Sequence, residues 1–165
     1  EYDVASMDDD ELESVARDHG AEFPGRFERG LGIMELFEAV AEPELWDPTF
    51  VIDHPEATTP LCKSHREKEG RIERFELMVA GAELANSYTE LNDPVRQGEL
   101  FADQLERFEA GDEEAHQMDE AFLQALGYGL PPTGGLGIGI DRLVMLLTDA
   151  QSIKEVLPFP MVNAE

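Results

Sequence analysis

The chain has 165 residues, 12 of them basic and 37 acidic, for a net charge of −25. That length suits one sizeable core in a single domain. So acidic a surface repels phosphate backbones and excludes a broad non-specific nucleic-acid footprint.

An apolar fraction of 42%, regularly spaced, argues against a disordered acidic tract. Cys62 is the only cysteine, which leaves no disulfide framework and no multi-cysteine zinc site. No secretory leader heads the chain and no apolar run is long enough to span a bilayer, so a soluble cytoplasmic protein is expected. Because the first residue is Glu1 rather than methionine, the chain is expected to be cut from something longer.

In chain order, Asp8 to His19 reads as a surface helix, with Leu12, Val15, Ala16 and His19 at helical spacing behind an acidic start. The link "GAEFPGRFERG" leads to a second helix with an inner face of Ile33, Leu36, Phe37 and Val40, ended by Pro43. "TFVID" (Thr49–Asp53) is a short strand closed by His54-Pro55. The polar loop "EATTPLCKSHREKEG" follows and holds much of the positive charge. Its Lys63, His65, Arg66 and Lys68 form either a lid over an anionic ligand or a solvated loop. His54, His65 and His116 are dispersed and read as surface or loop residues, and Cys62 as a small loop hydrophobe.

From Arg71 the pattern switches to period two, with Phe75, Leu77 and Val79 on one face and Glu76 and Met78 on the other. Gly81 marks a turn and "AELANSYTEL" returns, which makes a hairpin. Asp93 as N-cap with Pro94 behind it starts a helix whose inner stripe is Phe101, Leu105 and Phe108, with Gly111 at its end. Another helix is predicted from about Asp112 to Leu126, with Ala115, Met118, Phe122 and Leu126 aligned and Gly127 as its stop. "PPT" breaks the chain before a glycine-rich strand and a last helix. The sum is an α/β mixture of the α+β type, with an antiparallel sheet flanked by helices.

Two stretches carry chemistry. In "GLGIGI" the glycines share one face, while Leu136, Ile138 and Ile140 share the other, which is expected to pack into a core. A bare strip suits the close approach of a flat ring. Arg142 follows at a helix N-terminus, where backbone N–H groups and the dipole favour an anion and a guanidinium fork fits a phosphate. The competing explanation is a tightly packed strand whose glycines admit a neighbouring helix, with Arg142 in an ordinary salt bridge. In "RFELMVAGAELANSYTELND", Glu76 and Glu83 are expected roughly opposite each other across the turn. Like charges so placed destabilise a strand pair unless a divalent cation, most simply Mg²⁺, lies between them. Asn86, Tyr88 and Glu90 share a face, and a partly buried Glu90 calls for an ammonium partner. Strict alternation puts Glu83 on the opposite face, so one pocket for all four requires a bulge near Ala85. The competing explanation here is a solvated acidic edge hairpin.

Together, "GLGIGIDRLVMLLTDAQSIKEVLPFP", "RFELMVAGAELANSYTELNDPVRQ", "GDEEAHQMDEAFLQALGYGLPPTGG" and "HPEATTPL" resemble class II lysyl-tRNA synthetases, the first of them motif 3 of that class. The resemblance runs from about Gly30 to the end. It implies that residues 30–165 are the C-terminal half of a class II synthetase catalytic core, and 1–29 a variable helical insertion segment. It further implies ATP as substrate with Mg²⁺, activation of L-lysine to lysyl-adenylate and transfer to tRNA(Lys), in a full-length homodimer. By the same resemblance Glu76 and Glu83 hold the metal. Glu76, Leu77, Gly139, Ile140, Asp141 and Arg142 meet ATP, with Arg142 as the catalytic clamp on the terminal phosphates. Asn86, Tyr88 and Glu90 meet lysine, and the glycines make room for adenosine. Motifs 1 and 2 are not found, so this piece alone is expected to be inactive. A protein-lysylating paralogue of the kind that modifies elongation factor P, an aspartyl or asparaginyl relative, and a non-catalytic interaction module remain alternatives.

The acidic coat is expected to suit a high-salt cytoplasm, where screening suppresses self-repulsion. The melting temperature then rises between low and molar KCl; a flat dependence by circular dichroism removes that assignment.

Overall fold

A computed structural model describes residues 2–23, 26–112, 115 and 117–160. Helix α1 (Asp9–Asp18) opens on a capping box, in which Asp8 accepts from the Glu11 N–H at 2.9 Å and the Glu11 side chain returns to the Asp8 N–H. Leu12 and Ala16 are buried on its inner side. Helix α2 (Arg29–Val40) packs against α1 and buries Gly32 and Leu36. A Cβ on Gly32 would lie 2.6 Å from the Phe27 ring, so only glycine permits that approach.

Four strands follow: β1 (Thr49–Ile52), β2 (Arg74–Val79), β3 (Ala82–Thr89) and β4 (Gly134–Ile138). They form one antiparallel sheet in the order β1-β2-β3-β4. The β2–β3 hairpin turns at Ala80 and Gly81, both with positive φ (54° and 72°), as a two-residue turn requires to match the strands' twist. Helix α3 (Pro94–Glu109) starts as expected, with Asp93 accepting from the Val95 and Arg96 N–H groups. Its buried residues are Gln97, Phe101 and Gln104, a polar-edged stripe instead of the Leu105 and Phe108 side, because the Gln97 amide donates 2.9 Å to the Pro60 carbonyl. Helix α4 is shorter than predicted, Glu120–Gly127, since Asp119 caps it by accepting from Phe122 N–H. His116 lies outside the described residues. Helix α5 (Ile140–Thr148) follows β4 directly.

The two faces of the sheet divide unexpectedly. On β2 the buried positions are Glu76 and Met78, while Phe75 and Leu77 are half-buried. Register places Phe50, Ile52, Phe75, Leu77, Leu136 and Ile138 on the other face. There Phe50, Ile52, Leu136 and Ile138 are 61, 60, 63 and 48% exposed. The expectation that Leu136, Ile138 and Ile140 pack into a core is therefore corrected: all three lie exposed, at 63, 48 and 62%. The core instead gathers where the loop from residue 53 to 73 folds back, bridging Pro55 to Arg71, Ser64 to Ile72 and Cys62 to Glu90. His54, Cys62 and Ile72 are all buried there.

Ile72 has no exposed surface. Truncation to Ala is expected to cost about 2–5 kcal/mol in urea unfolding, by lost transfer energy and the cavity left behind; a loss below about 1 kcal/mol would show that the core lies elsewhere.

Candidate active site

The register of the hairpin decides which side chains meet. Arg74 pairs with Tyr88, Glu76 with Asn86 and Leu77 with Ala85, but Met78 pairs with Glu83. One residue, Leu84, is extra: the register shifts between Leu77 and Met78. Such a bulge reverses the alternation. Glu83 thereby comes to the face of Glu76, Asn86 and Tyr88, as the one-pocket reading required. Glu76 and Glu83 are diagonal neighbours, not direct partners, which corrects the expected pairing.

The bulge does more than turn one acid. Its Leu84 carbonyl accepts from Gly139 N–H at 2.9 Å, and the preceding Glu83 carbonyl accepts from the Arg142 guanidinium. Two consecutive carbonyls thus hold the start of α5 against the hairpin. No side chain caps that helix at Gly139, so its first N–H groups remain open. A pocket of about 350 Å³ results, lined by Glu83, Asn86, Gly137, Gly139, Asp141 and Arg142 among others. A larger cleft of about 820 Å³ lies between the α1–α2 link and α3, away from every predicted site residue.

Glu76 is only 9% exposed. Its Oε1 accepts from the Arg74 guanidinium and, at 3.4 Å, from the Asn86 amide, while Arg74 Nε also donates to Asn86 Oδ1 at 3.2 Å. This closed ring of three fixes the amide's orientation. Burial pushes the Glu76 carboxyl up from its ordinary range, Arg74 opposes that, and Glu83 adds to it. Arg74 was not among the predicted site residues. Its signal was its place two residues before Glu76 on one strand face.

His54 was expected near the surface and is 2% exposed. Its Nε2 lies 3.3 Å from the Val51 carbonyl and 3.8 Å from Glu76 Oε2, and Nδ1 has no hydrogen-bond partner among the described residues. The loop cations are already engaged: Lys68 and His65 with Asp53, Arg66 with Glu73, and Lys63 with Asn92.

At the far end of β3, Glu90 is half-buried and its backbone N–H donates 3.0 Å to the Thr133 carbonyl. Its carboxylate has no hydrogen bond or ion pair among the described residues, and burial raises its proton affinity. Tyr88 is likewise shifted up, by burial and then by Glu90. Of the remaining predicted residues, Ile140 is exposed at the start of α5 and Asp141 borders the pocket. Leu77 sits on the opposite sheet face, opposite Phe50 on β1, so its side chain points away from the other site residues.

Along β4, then, Glu90 stands against Gly135 at one end and the pocket lined by Arg142 lies at the other. Gly135 to Gly139 span roughly 13 Å at ~3.3 Å per residue. The family model for tRNA synthetases class II (D, K and N) matches residues 23–163, and the chain belongs to that family. It is 57% identical over 164 residues to a lysine–tRNA ligase of Sulfolobus acidocaldarius, a match that covers 99% of this chain and 33% of that protein. It is 52% identical over 154 residues to a lysine–tRNA ligase of Enterococcus faecalis, covering 93% of this chain and 31% of the relative. The chain thus spans about one third of the length of these relatives. Among the described residues no helix is long and apolar enough to cross a membrane.

Burial, reinforced by Arg74, holds His54 down at about 4 against an ordinary 6.5. The unfolded chain protonates first, so the stability due to neutral His54 is complete above about 6.5 and lost as pH falls toward about 4, on the order of 3 kcal/mol. Glu76, shifted up, acts in the opposite sense. His54→Asn should flatten the fall between those pH values in urea unfolding; an unchanged profile would refute the assignment.

Proposed function

We propose that this chain forms the lysine- and ATP-binding floor of a lysine–tRNA ligase, whose whole protein activates L-lysine to lysyl-adenylate and passes it to tRNA. The observation that carries this reading is Glu90: a half-buried carboxylate with no hydrogen bond or ion pair among the described residues, beside Gly135 on the strand whose other end meets the pocket lined by Arg142.

Glu90 receives the substrate's ε-ammonium, and Tyr88 lines the same end. A neutral amino acid would leave that acid desolvated and unpaired, a heavy penalty. A substrate carboxylate, as in aspartate, would be repelled. Asn86, oriented by Arg74 and Glu76, offers its amide beside the pocket. Arg142 neutralises the terminal phosphates with a planar fork, and the open N–H groups of α5 add a positive end. Gly137 and Gly139 leave bare backbone for the adenosine. With lysine and ATP so held, the lysine carboxylate attacks the α-phosphorus in line and pyrophosphate departs. Transfer follows when a tRNA hydroxyl attacks the acyl carbon and AMP leaves.

The fit of a divalent cation follows from the donor set. Glu76 and Glu83 share a face, and the charge of Glu83 disfavours that of Glu76. No group of three metal-binding side chains occurs among the described residues. Two carboxylates suit Mg²⁺ shared with phosphate oxygens better than a closed protein cage. When bound, the ion offsets charge that develops on the phosphates.

In the full-length protein, Glu90→Gln is expected to weaken lysine binding by on the order of a hundredfold and leave ATP binding within a few fold, while Arg142→Ala does the reverse. Calorimetry with ATP, Mg²⁺ and lysine checks both. No metal-dependent nucleotide binding by the unaltered protein would overturn the reading.

A further inference from the structure

Glycine within a strand costs roughly 0.5–1 kcal/mol relative to alanine. The run from Gly134 to Gly139 contains four glycines, and none has a positive φ. Conformational freedom therefore does not explain them. A Cβ added to Gly134, Gly137 or Gly139 would meet nothing closer than 4.0, 3.8 and 3.6 Å, ordinary contact distances. Gly135 differs: its Cβ would lie 2.0 Å from Glu90 Oε1 and 3.2 Å from Glu90 Cδ. The Glu90 carboxylate occupies the volume a side chain on residue 135 would fill.

Register explains the meeting. Tyr88 pairs with Gly135 and Glu90 lies two residues on, so acid and glycine are diagonal neighbours on the pocket face. The Glu90 backbone is tied to Thr133, but its carboxylate is tied to nothing described. We propose that Gly135 is a positioning residue: its missing side chain seats the Glu90 carboxylate flat against β4, at the height where a substrate ammonium is received. This rests on Glu90 being the ammonium acceptor. A methyl at residue 135 drives Oε1 outward by about 1.4 Å before ordinary contact is restored. The glutamate is flexible at its tip, so the fold survives while the acid moves into the substrate's space.

The test is calorimetry of L-lysine, L-norleucine and ATP on the full-length protein and four variants (Gly135→Ala, Gly134→Ala, Glu90→Asp and Glu90→Asp with Gly135→Ala), with thermal melts alongside. Gly135→Ala should lower lysine affinity at least about tenfold and leave ATP affinity unchanged. Gly134→Ala, which meets only an ordinary contact with the Tyr88 carbonyl, should change neither. In a Glu90→Asp background the acid is one methylene shorter, so the same Gly135→Ala change should cost less than about threefold, a coupling that a general strand defect does not produce. If the unaltered protein prefers lysine to norleucine and Gly135→Ala keeps that affinity, the positioning role is wrong and the site reading stands. If the unaltered protein binds the two alike, both fall. A Gly135→Ala protein that loses its melting transition assigns the glycine to folding and also overturns the role.

Discussion

One extra residue in β3 holds the site together. With Leu84 bulged out, its carbonyl and that of Glu83 turn toward α5 and accept from Gly139 and Arg142. The same shift brings the Glu83 side chain to the face of Glu76 and Asn86. Without the bulge the two acids would lie on opposite sides of the sheet, and the helix start would lose both its anchors on the hairpin. Bulges bend and re-aim strands in this way at functional edges. Of the two anchors, the Gly139–Leu84 hydrogen bond runs backbone to backbone, and the other is made by the Arg142 side chain.

The site face is costly to assemble. Buried Glu76 is balanced by Arg74, and Asn86 completes the ring. Breaking a buried pair by removing one partner leaves an uncompensated charge, which costs far more than the pair contributes. Arg74 therefore permits an acidic floor to exist in a chain that already carries −25. Glu90 is left out of this compensation. The contrast sorts three of the acids here: Glu76 is balanced by Arg74, Glu83 edges the pocket, and Glu90 has no hydrogen bond or ion pair among the described residues. That sorting is the physical basis for reading the Glu90 end of β4 as an ammonium site.

On β2 the buried positions are Glu76 and Met78 on the polar side, while several apolar residues of the opposite face lie exposed, an inversion of the usual arrangement for a half-solvated sheet. Phe50, Ile52, Leu136 and Ile138 together exceed the scattered exposure common on protein surfaces. The lysine–tRNA ligases it matches are about three times as long as this chain.

Local signals in the sequence determined a good deal. Asp8 with Glu11, Asp93 with Pro94, and the Ala80-Gly81 turn each act through backbone geometry within a few residues, so their helices and hairpin formed where they were read. The motif-like stretches around Glu76 to Glu90 and Gly135 to Arg142 likewise identified the family. What the linear pattern left open was every question of partnership. Period two assigns Phe75 and Glu76 to opposite faces but does not say which is covered. It makes Glu83 and Asn86 strangers, because a one-residue bulge is a choice the sheet makes when it packs on α5. His54 became buried and Gly135 acquired its neighbour for the same reason: burial and diagonal contact depend on chain segments tens of residues apart. Only tertiary packing brings such segments together.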